Sequence, residues 1–116
     1  MSGRVDKPAM AYGPSGALGV MWKAVYKPDL SFDVLAAVSP EGGLAFGRPV
    51  RLNGARSHKE TCGSGGAEGQ GYACDELSWM VMERGTLDAV WGDNRNGQNP
   101  WFGRYFFKHD PQFARR

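Results

Sequence analysis

The sequence predicts an all-β fold of short antiparallel strands. Its 116 residues include 17 glycines and 7 prolines, a composition that suits tight turns better than helices. No window carries an apolar stripe of helical period for more than about two turns. In the run 86–91, by contrast, Leu87, Ala89 and Trp91 alternate with Thr86, Asp88 and Val90. That period of two is typical of half-buried strands.

A hairpin is predicted over residues 85–107, because the polar turn residues 93–97 separate two apolar runs. The same pattern occurs earlier in the chain at a constant offset of 69 residues. The matched pairs are Gly16 and Gly85, Leu18 and Leu87, Trp22 and Trp91, and Phe32 and Trp101. An offset held from residue 9 to residue 38 predicts a duplicated supersecondary unit.

The first unit is predicted to contain four strands, near residues 9–13, 18–26, 32–38 and 49–52. The second is predicted to contain three, at 77–82, 87–91 and 101–108, with no clear fourth strand. A glycine-rich loop joins the units. Four-stranded meanders of this size are the blades of β-propellers. We therefore expect one domain over residues 1–116, with blade one at about 6–53, the loop at 54–75 and an incomplete blade two at 76–110.

The formal charge is +2, and the basic residues are scattered along the chain. This distribution lacks the basic patch that a nucleic-acid partner requires. No apolar run approaches the roughly 18 residues of a membrane span, and the first 20 residues lack the features of a signal peptide. We expect neither nucleic acid nor membrane as a partner.

A turn motif lies between the third and fourth predicted strands. Ser39-Pro40-Glu41-Gly42-Gly43-Leu44-Ala45-Phe46 resembles the Asp-box of the sialidase-like (BNR-repeat) propellers, whose pattern is Ser-x-Asp-x-Gly-x-Thr-Trp/Phe. Ser39, Gly43 and Phe46 match, while Glu41 stands at the aspartate position and Ala45 at the threonine position. The segments 18–22, 32–39 and 89–97 also resemble blade segments of this family. The resemblance implies that the box is structural, capping its turn while Phe46 packs between blades.

The resemblance also implies which loops share the ligand-binding face, namely residues 23–31, 53–76 and 92–100. The candidate ligand-face residues are Asp93, Arg95, Glu76 and Tyr72. A carboxylate and a guanidinium on a turn suit a sugar hydroxyl or a carboxylated sugar. The favoured interpretation of the pair is nevertheless structural, in which Asp93 caps the turn and Arg95 is solvated or pairs with it.

Two functional hypotheses follow from the resemblance. In the first, the chain is part of a sialidase-like glycosidase, an exo-α-sialidase type of glycoside hydrolase that acts on glycans. In the second, it is a non-catalytic propeller module that binds carbohydrate or protein. The family's three arginines, Tyr/Glu nucleophile pair and acid/base aspartate cannot be matched to residues of this sequence. Glu76, Tyr72 and Tyr105 are expected to be structural, and the chain alone is expected to be inactive. An extracellular or periplasmic location is favoured for the parent protein.

Other conspicuous residues have simpler interpretations. The four tryptophans, at repeated strand positions, are expected to lie in the core between blades rather than to stack on sugars. Cys62 and Cys74 flank a flexible segment and are predicted to form a disulfide in an oxidising compartment, or to remain free thiols in a reducing one. His58 and His109 have no ligand-spaced partners, so neither a metal nor another cofactor is expected.

The number of predicted blades is too small for a stable propeller. Repeat architectures need about three units before contacts between units outweigh chain entropy. With fewer than two, apolar side chains and a sheet edge are expected to be open to water. We therefore expect either a piece of a longer propeller or a subunit that self-associates.

Overall fold

The computed structural model describes residues 3–26, 31–57, 78–93 and 99–114. These residues form seven β-strands and two short 3-10 helices, at Phe107–His109 and Pro111–Phe113. The strands are β1 (Gly3–Tyr12), β2 (Leu18–Tyr26), β3 (Phe32–Ser39), β4 (Val50–Arg51), β5 (Ser78–Glu83), β6 (Thr86–Asp93) and β7 (Asn99–Tyr105). All strand pairs are antiparallel. The prediction of an all-β antiparallel fold is confirmed.

The strands form two meanders, each strand pairing with its neighbour in sequence. The first sheet has the order β1-β2-β3-β4 and the second the order β5-β6-β7. The predicted bounds of β2 are correct, because a turn with Gly16 at φ +91° precedes it and Pro28 follows it. The last strand, however, ends at Tyr105 rather than at 108. There the Asp110 side chain accepts a hydrogen bond from the Gln112 amide and caps a 3-10 turn that begins with Pro111.

The two sheets pack face to face around a single apolar core. β1 and β5 lie beside each other. Gly19 marks the closest approach, since a Cβ atom there would lie 2.4 Å from the Met82 sulfur. The buried apolar side chains that form this core come from both units and are Ala17, Met21, Val25, Phe32, Val34, Ala36, Val38, Met80, Met82, Leu87, Ala89, Trp91 and Phe107.

The two sheets differ in register, so the offset of 69 does not hold in all three strands. Met21 pairs with Ala36, but its repeat equivalent Val90 pairs with Phe102, three residues before the equivalent of Ala36. Met10 pairs with Val20, whereas Trp79 pairs with Val90 instead of Ala89. The units share strand order and central-strand sequence but not hairpin register. Outside the central strands, residues 69 positions apart are therefore not at equivalent places in the two sheets.

Side chains of β2 alternate between two environments. Met21, Lys23 and Val25 face the second sheet and are buried, while Val20 and Trp22 lie half-buried on the opposite face. β3 is buried along nearly its whole length. No helix among the described residues is long and apolar enough to cross a membrane.

Candidate functional site

Two charged side chains are buried near one end of the first sheet. Lys23 is 1% exposed and Asp33 is 5% exposed, although ionised groups rarely leave water without partners. Both lie toward the end of β2 and the start of β3, where the residues that follow β4 also return. We call this region, defined by Tyr26, Asp33, Arg51 and Arg56, the arginine end.

The Asp33 carboxylate is the centre of the arginine end. Arg56 donates to it from Nε at 3.4 Å and from Nη2 at 3.2 Å, a bidentate geometry. Arg51 Nη1 lies 3.6 Å from the same carboxylate. The Tyr26 hydroxyl donates a third interaction at 3.0 Å. Asp33 is thus held by two guanidiniums and a phenol, which compensates for its burial.

Tyr26 also fixes the orientation of Arg56. The Arg56 guanidinium carbon lies 4.0 Å from the centre of the Tyr26 ring, in cation–π distance. Burial and the hydrogen bond to Asp33 raise the pKa of the Tyr26 phenol. Tyr26 is consequently a neutral donor at physiological pH and serves as a platform for the arginine.

Backbone pairing explains why Arg56 reaches this position. Phe32 and Ser57 exchange backbone hydrogen bonds of 3.0 and 2.8 Å, so the chain after β4 lies against the start of β3. The buried Asn53 side chain accepts from the Val34 amide at 2.8 Å and donates to the Phe32 carbonyl at 3.2 Å. The Asn53 side chain thus replaces a backbone hydrogen bond of the β-ladder. It thereby fixes the turn that leads to Arg56.

Lys23 joins the end of β2 to the second sheet. Its ammonium donates to the Gly92 carbonyl at 3.1 Å and lies 4.6 Å from the centre of the Phe32 ring. Gly92 belongs to the last part of β6, so the ends of β2 and β6 lie together. The described parts of the three loop regions 23–31, 53–76 and 92–100 are therefore neighbours.

Both arginine side chains of the arginine end are partly exposed. Two guanidiniums share one carboxylate, and their side chains remain 43% (Arg51) and 41% (Arg56) exposed. Such a pair presents positive charge and planar donors at a fixed spacing, which suits a carboxylate or another small anion. Within the described ranges no group of three His, Cys, Asp or Glu side chains could hold a metal ion.

The ligand-face candidates from the sequence fall mostly outside the described residues. Arg95, Glu76 and Tyr72 lie there, as do Cys62 and Cys74, and these assignments and the disulfide stay predictions. Asp93 is the last residue of β6, and its backbone pairs with that of Asn99.

The Asp-box turn lies at the opposite end of the first sheet. Ser39 is fully buried, and its hydroxyl accepts from the Gly43 amide at 2.7 Å. Gly42 and Gly43 have φ of +71° and +110°, which glycine adopts without strain. Glu41 is exposed. Phe46 is 45% exposed, so its ring does not fill a core position in this chain, contrary to the expectation.

The tryptophans do not share one role. Trp91 is 1% exposed and central to the core, but Trp79 is 68% exposed. The expectation of a common core role is therefore wrong for Trp79. The register of β5 against β6 pairs Trp79 with Val90, and this places the Trp79 side chain on the side of the second sheet that points away from the first.

The arginine end was not anticipated from the sequence, although two signals were present. Lys23 interrupts the buried alternation of Met21 and Val25, and Asp33 interrupts the apolar run of β3. A charge at a buried strand position indicates a partner of opposite charge or a polar network. The partners Arg51 and Arg56 are about 20 residues away, beyond the reach of local patterns.

No protein-family model, curated protein or solved structure matches this chain.

Proposed function

We propose that this chain is a non-catalytic binding module that takes a carboxylated sugar at the arginine end. The observation that carries the proposal is the half-exposed pair of guanidiniums, Arg51 and Arg56, fixed beside one buried carboxylate. Guanidinium groups bind carboxylates through parallel hydrogen bonds, and pre-oriented ones lose little entropy on binding. The resemblance to sialidase-like propellers supports a sugar as the carrier of the carboxylate.

Three contacts support a preformed site. Asp33 and the Tyr26 ring restrict the Arg56 side chain, while Arg51 Nη2 donates to the Gly54 carbonyl at 3.1 Å. Both guanidinium side chains remain more than two-fifths exposed beside Asp33, so a ligand carboxylate can accept hydrogen bonds from them and the site favours an anionic over a neutral sugar.

The second candidate is the sialidase-like glycosidase. The observation that favours it is the hydrogen bond from Tyr26 to Asp33, since the family resemblance implies a tyrosine nucleophile paired with an acidic residue. Two features oppose it. The pKa of Tyr26 is raised, which disfavours the nucleophilic phenolate, and two guanidiniums hold the carboxylate that would act as base. We therefore propose a binding module as the first candidate and the glycosidase as the second.

Isothermal titration of the purified chain with N-acetylneuraminic acid and with its methyl ester tests the proposal. The free acid is expected to bind at least about tenfold more tightly than the ester, because the ester lacks the charge that the guanidiniums recognise. Arg56→Gln is expected to weaken binding of the acid by about tenfold or more. Equal affinities for acid and ester would overturn the proposal.

Arg84→Gln is the matched control. Arg84 lies in the exposed β5–β6 turn at the opposite end of the second sheet, and its replacement makes the same change in charge. The Arg84→Gln chain is expected to bind N-acetylneuraminic acid as tightly as the parent chain does. Release of a fluorogenic leaving group from a sialoside by the parent chain would instead establish the glycosidase.

A further inference from the structure

The arginine end continues onto one side of the first sheet. Side chains of β2 alternate between the two sides of this sheet, and the buried Lys23 and Val25 point toward the second sheet. Trp22, Ala24 and Tyr26 therefore lie together on the opposite side, which we call the outer face, and all three are partly exposed. Because Tyr26 belongs to the arginine end, Trp22 and Ala24 extend the same surface along β2.

Strand pairing places the charged groups of the arginine end beside this surface. Ala24 pairs with Asp33, whereas Trp22 pairs with Leu35, and Leu35 pairs with Arg51. These residues thus form two adjacent rows across the outer face. Neighbouring side chains on one side of a strand are two residues apart, so the rows are separated by roughly 6.5 Å. Trp22 therefore lies one row away from Asp33, the carboxylate that holds both guanidiniums.

The surface between Trp22 and Asp33 is apolar. Ala24 contributes only a methyl group there, between the larger side chains of Trp22 and Tyr26 on the same strand. Leu35, the cross-strand neighbour of Trp22, is also partly exposed. The Tyr26 hydroxyl donates to Asp33 at 3.0 Å, so the phenol belongs to the charged row. A partly exposed indole next to a small side chain is an arrangement that accepts a flat ring.

We propose that the sugar ring of the ligand stacks on the Trp22 indole while the ligand carboxylate binds Arg51 and Arg56. This inference rests on the function proposed above and names its ligand class. A sugar ring presents C–H groups on one face, which pack on aromatic side chains, while its hydroxyls stay in water at the edge. The short separation of the two rows selects a carboxylate that is bonded directly to the ring. An acid without a ring would contact the guanidiniums only.

NMR titration of the parent chain tests the role of Trp22. N-acetylneuraminic acid carries its carboxylate on the ring, whereas acetate has no ring. Both acids are expected to shift the Nε–H resonances of Arg51 and Arg56, but only the sugar acid is expected to shift the indole N–H resonance of Trp22. The indole of Trp79, a residue that is 68% exposed on the second sheet, is the internal control and is expected to stay in place with either acid.

Substitutions at Trp22 complete the test. Trp22→Leu is expected to weaken binding of the sugar acid by about fivefold to tenfold, because the stacking surface is lost, and to leave the affinity for acetate unchanged. Unchanged acetate binding also shows that the variant is folded. Trp22→Phe keeps an aromatic ring and is expected to recover most of the affinity for the sugar acid. Trp79→Leu is the matched control and is expected to bind both acids as the parent chain does.

Two kinds of negative result are distinguishable. Absence of any Arg51 or Arg56 shift with the sugar acid would overturn the proposed function, and this inference with it. Arginine shifts without a Trp22 shift, or parent affinity of Trp22→Leu for the sugar acid, would overturn the role of Trp22 alone. So would equal weakening of both acids in Trp22→Leu, since Trp22 would then act only by supporting the fold.

Discussion

At the scale of single residues, two buried polar side chains determine the geometry of the arginine end. Asp33 is buried because two guanidiniums and a phenol satisfy it, and Asn53 because it completes the backbone bonding of Phe32 and Val34. Removing one partner of such a group leaves the other unsatisfied, which costs more than the bond itself contributes. These residues fix the positions of Arg51 and Arg56.

Tyr105 forms a second polar cluster, at the end of the second sheet away from Gly92. Its hydroxyl donates to Asp110 at 2.5 Å, and the Gln112 side-chain amide donates to the same hydroxyl at 3.3 Å. Burial first, and then the hydrogen bond to Asp110, raises the pKa of Tyr105 to about 12. A phenol with so high a pKa is not an activated nucleophile, in keeping with the structural role expected for Tyr105.

The raised pKa of Tyr105 predicts a loss of stability in alkali. The unfolded chain releases this proton near pH 10, whereas the folded chain holds it to about pH 12. The stabilisation that Tyr105 contributes is therefore fully present below pH 10 and is lost as the pH rises to 12. After solvent screening of this partly exposed group, the loss lowers the free energy of unfolding by about 1–2 kcal/mol. Thermal melts of the parent and of Tyr105→Phe between pH 10 and 12 test this prediction. The melting temperature of Tyr105→Phe is expected to fall less steeply with pH than that of the parent. Parallel curves for the two chains would contradict the assignment.

At the scale of strands, close packing of the core depends on glycines at close approaches. Gly103 of β7 is the clearest case. A Cβ atom there would lie 2.9 and 3.0 Å from atoms of the buried Trp91 ring and 3.3 Å from the Leu52 Cβ. Trp91 cannot move without displacing the core, because it is 1% exposed.

Gly103→Ala is accordingly predicted to lower the free energy of unfolding by about 1–3 kcal/mol, the usual cost of overpacking a core. Gly54→Ala is the matched control. Gly54 is exposed, and a Cβ atom there would have no other atom within 4 Å, so this change is expected to be nearly neutral. Urea unfolding of the three chains makes the comparison. A Gly103→Ala chain as stable as the parent would show that the Trp91 ring is not packed this closely against β7.

Strands were predictable from the sequence where local signals bound them. Alternation and flanking turns define β2, while β1 begins earlier than predicted because its first residues pair with the end of β2, a contact that local patterns do not contain. The register of the hairpins was also out of reach, since it depends on turn length and on packing between sheets. The same dependence on long-range pairing explains why the arginine end was not predicted from the sequence. Asp33, Arg51 and Arg56 meet only after β3, β4 and the following turn are in place.

At the scale of the whole molecule, side-chain contacts complement the apolar core in holding the two units together. Lys23 of the first sheet donates to the Gly92 carbonyl of the second at one end. At the other end, the Gln112 side chain bonds both the amide and the carbonyl of Arg48, at 2.6 and 3.2 Å. The segment after β7 thereby reaches back to the first sheet. These ties hold the arginine end in a fixed relation to the last part of β6.

The arginine end is proposed to bind a carboxylated sugar. The most direct measurement follows the guanidinium Nε–H resonances of Arg51 and Arg56 by NMR while N-acetylneuraminic acid is added. Both resonances are predicted to shift and saturate together, while that of Arg84, on the exposed turn at the other end of the second sheet, stays in place. The methyl ester is predicted to cause much smaller shifts. Unchanged Arg51 and Arg56 resonances at saturating acid, or equal shifts with the ester, would contradict the account.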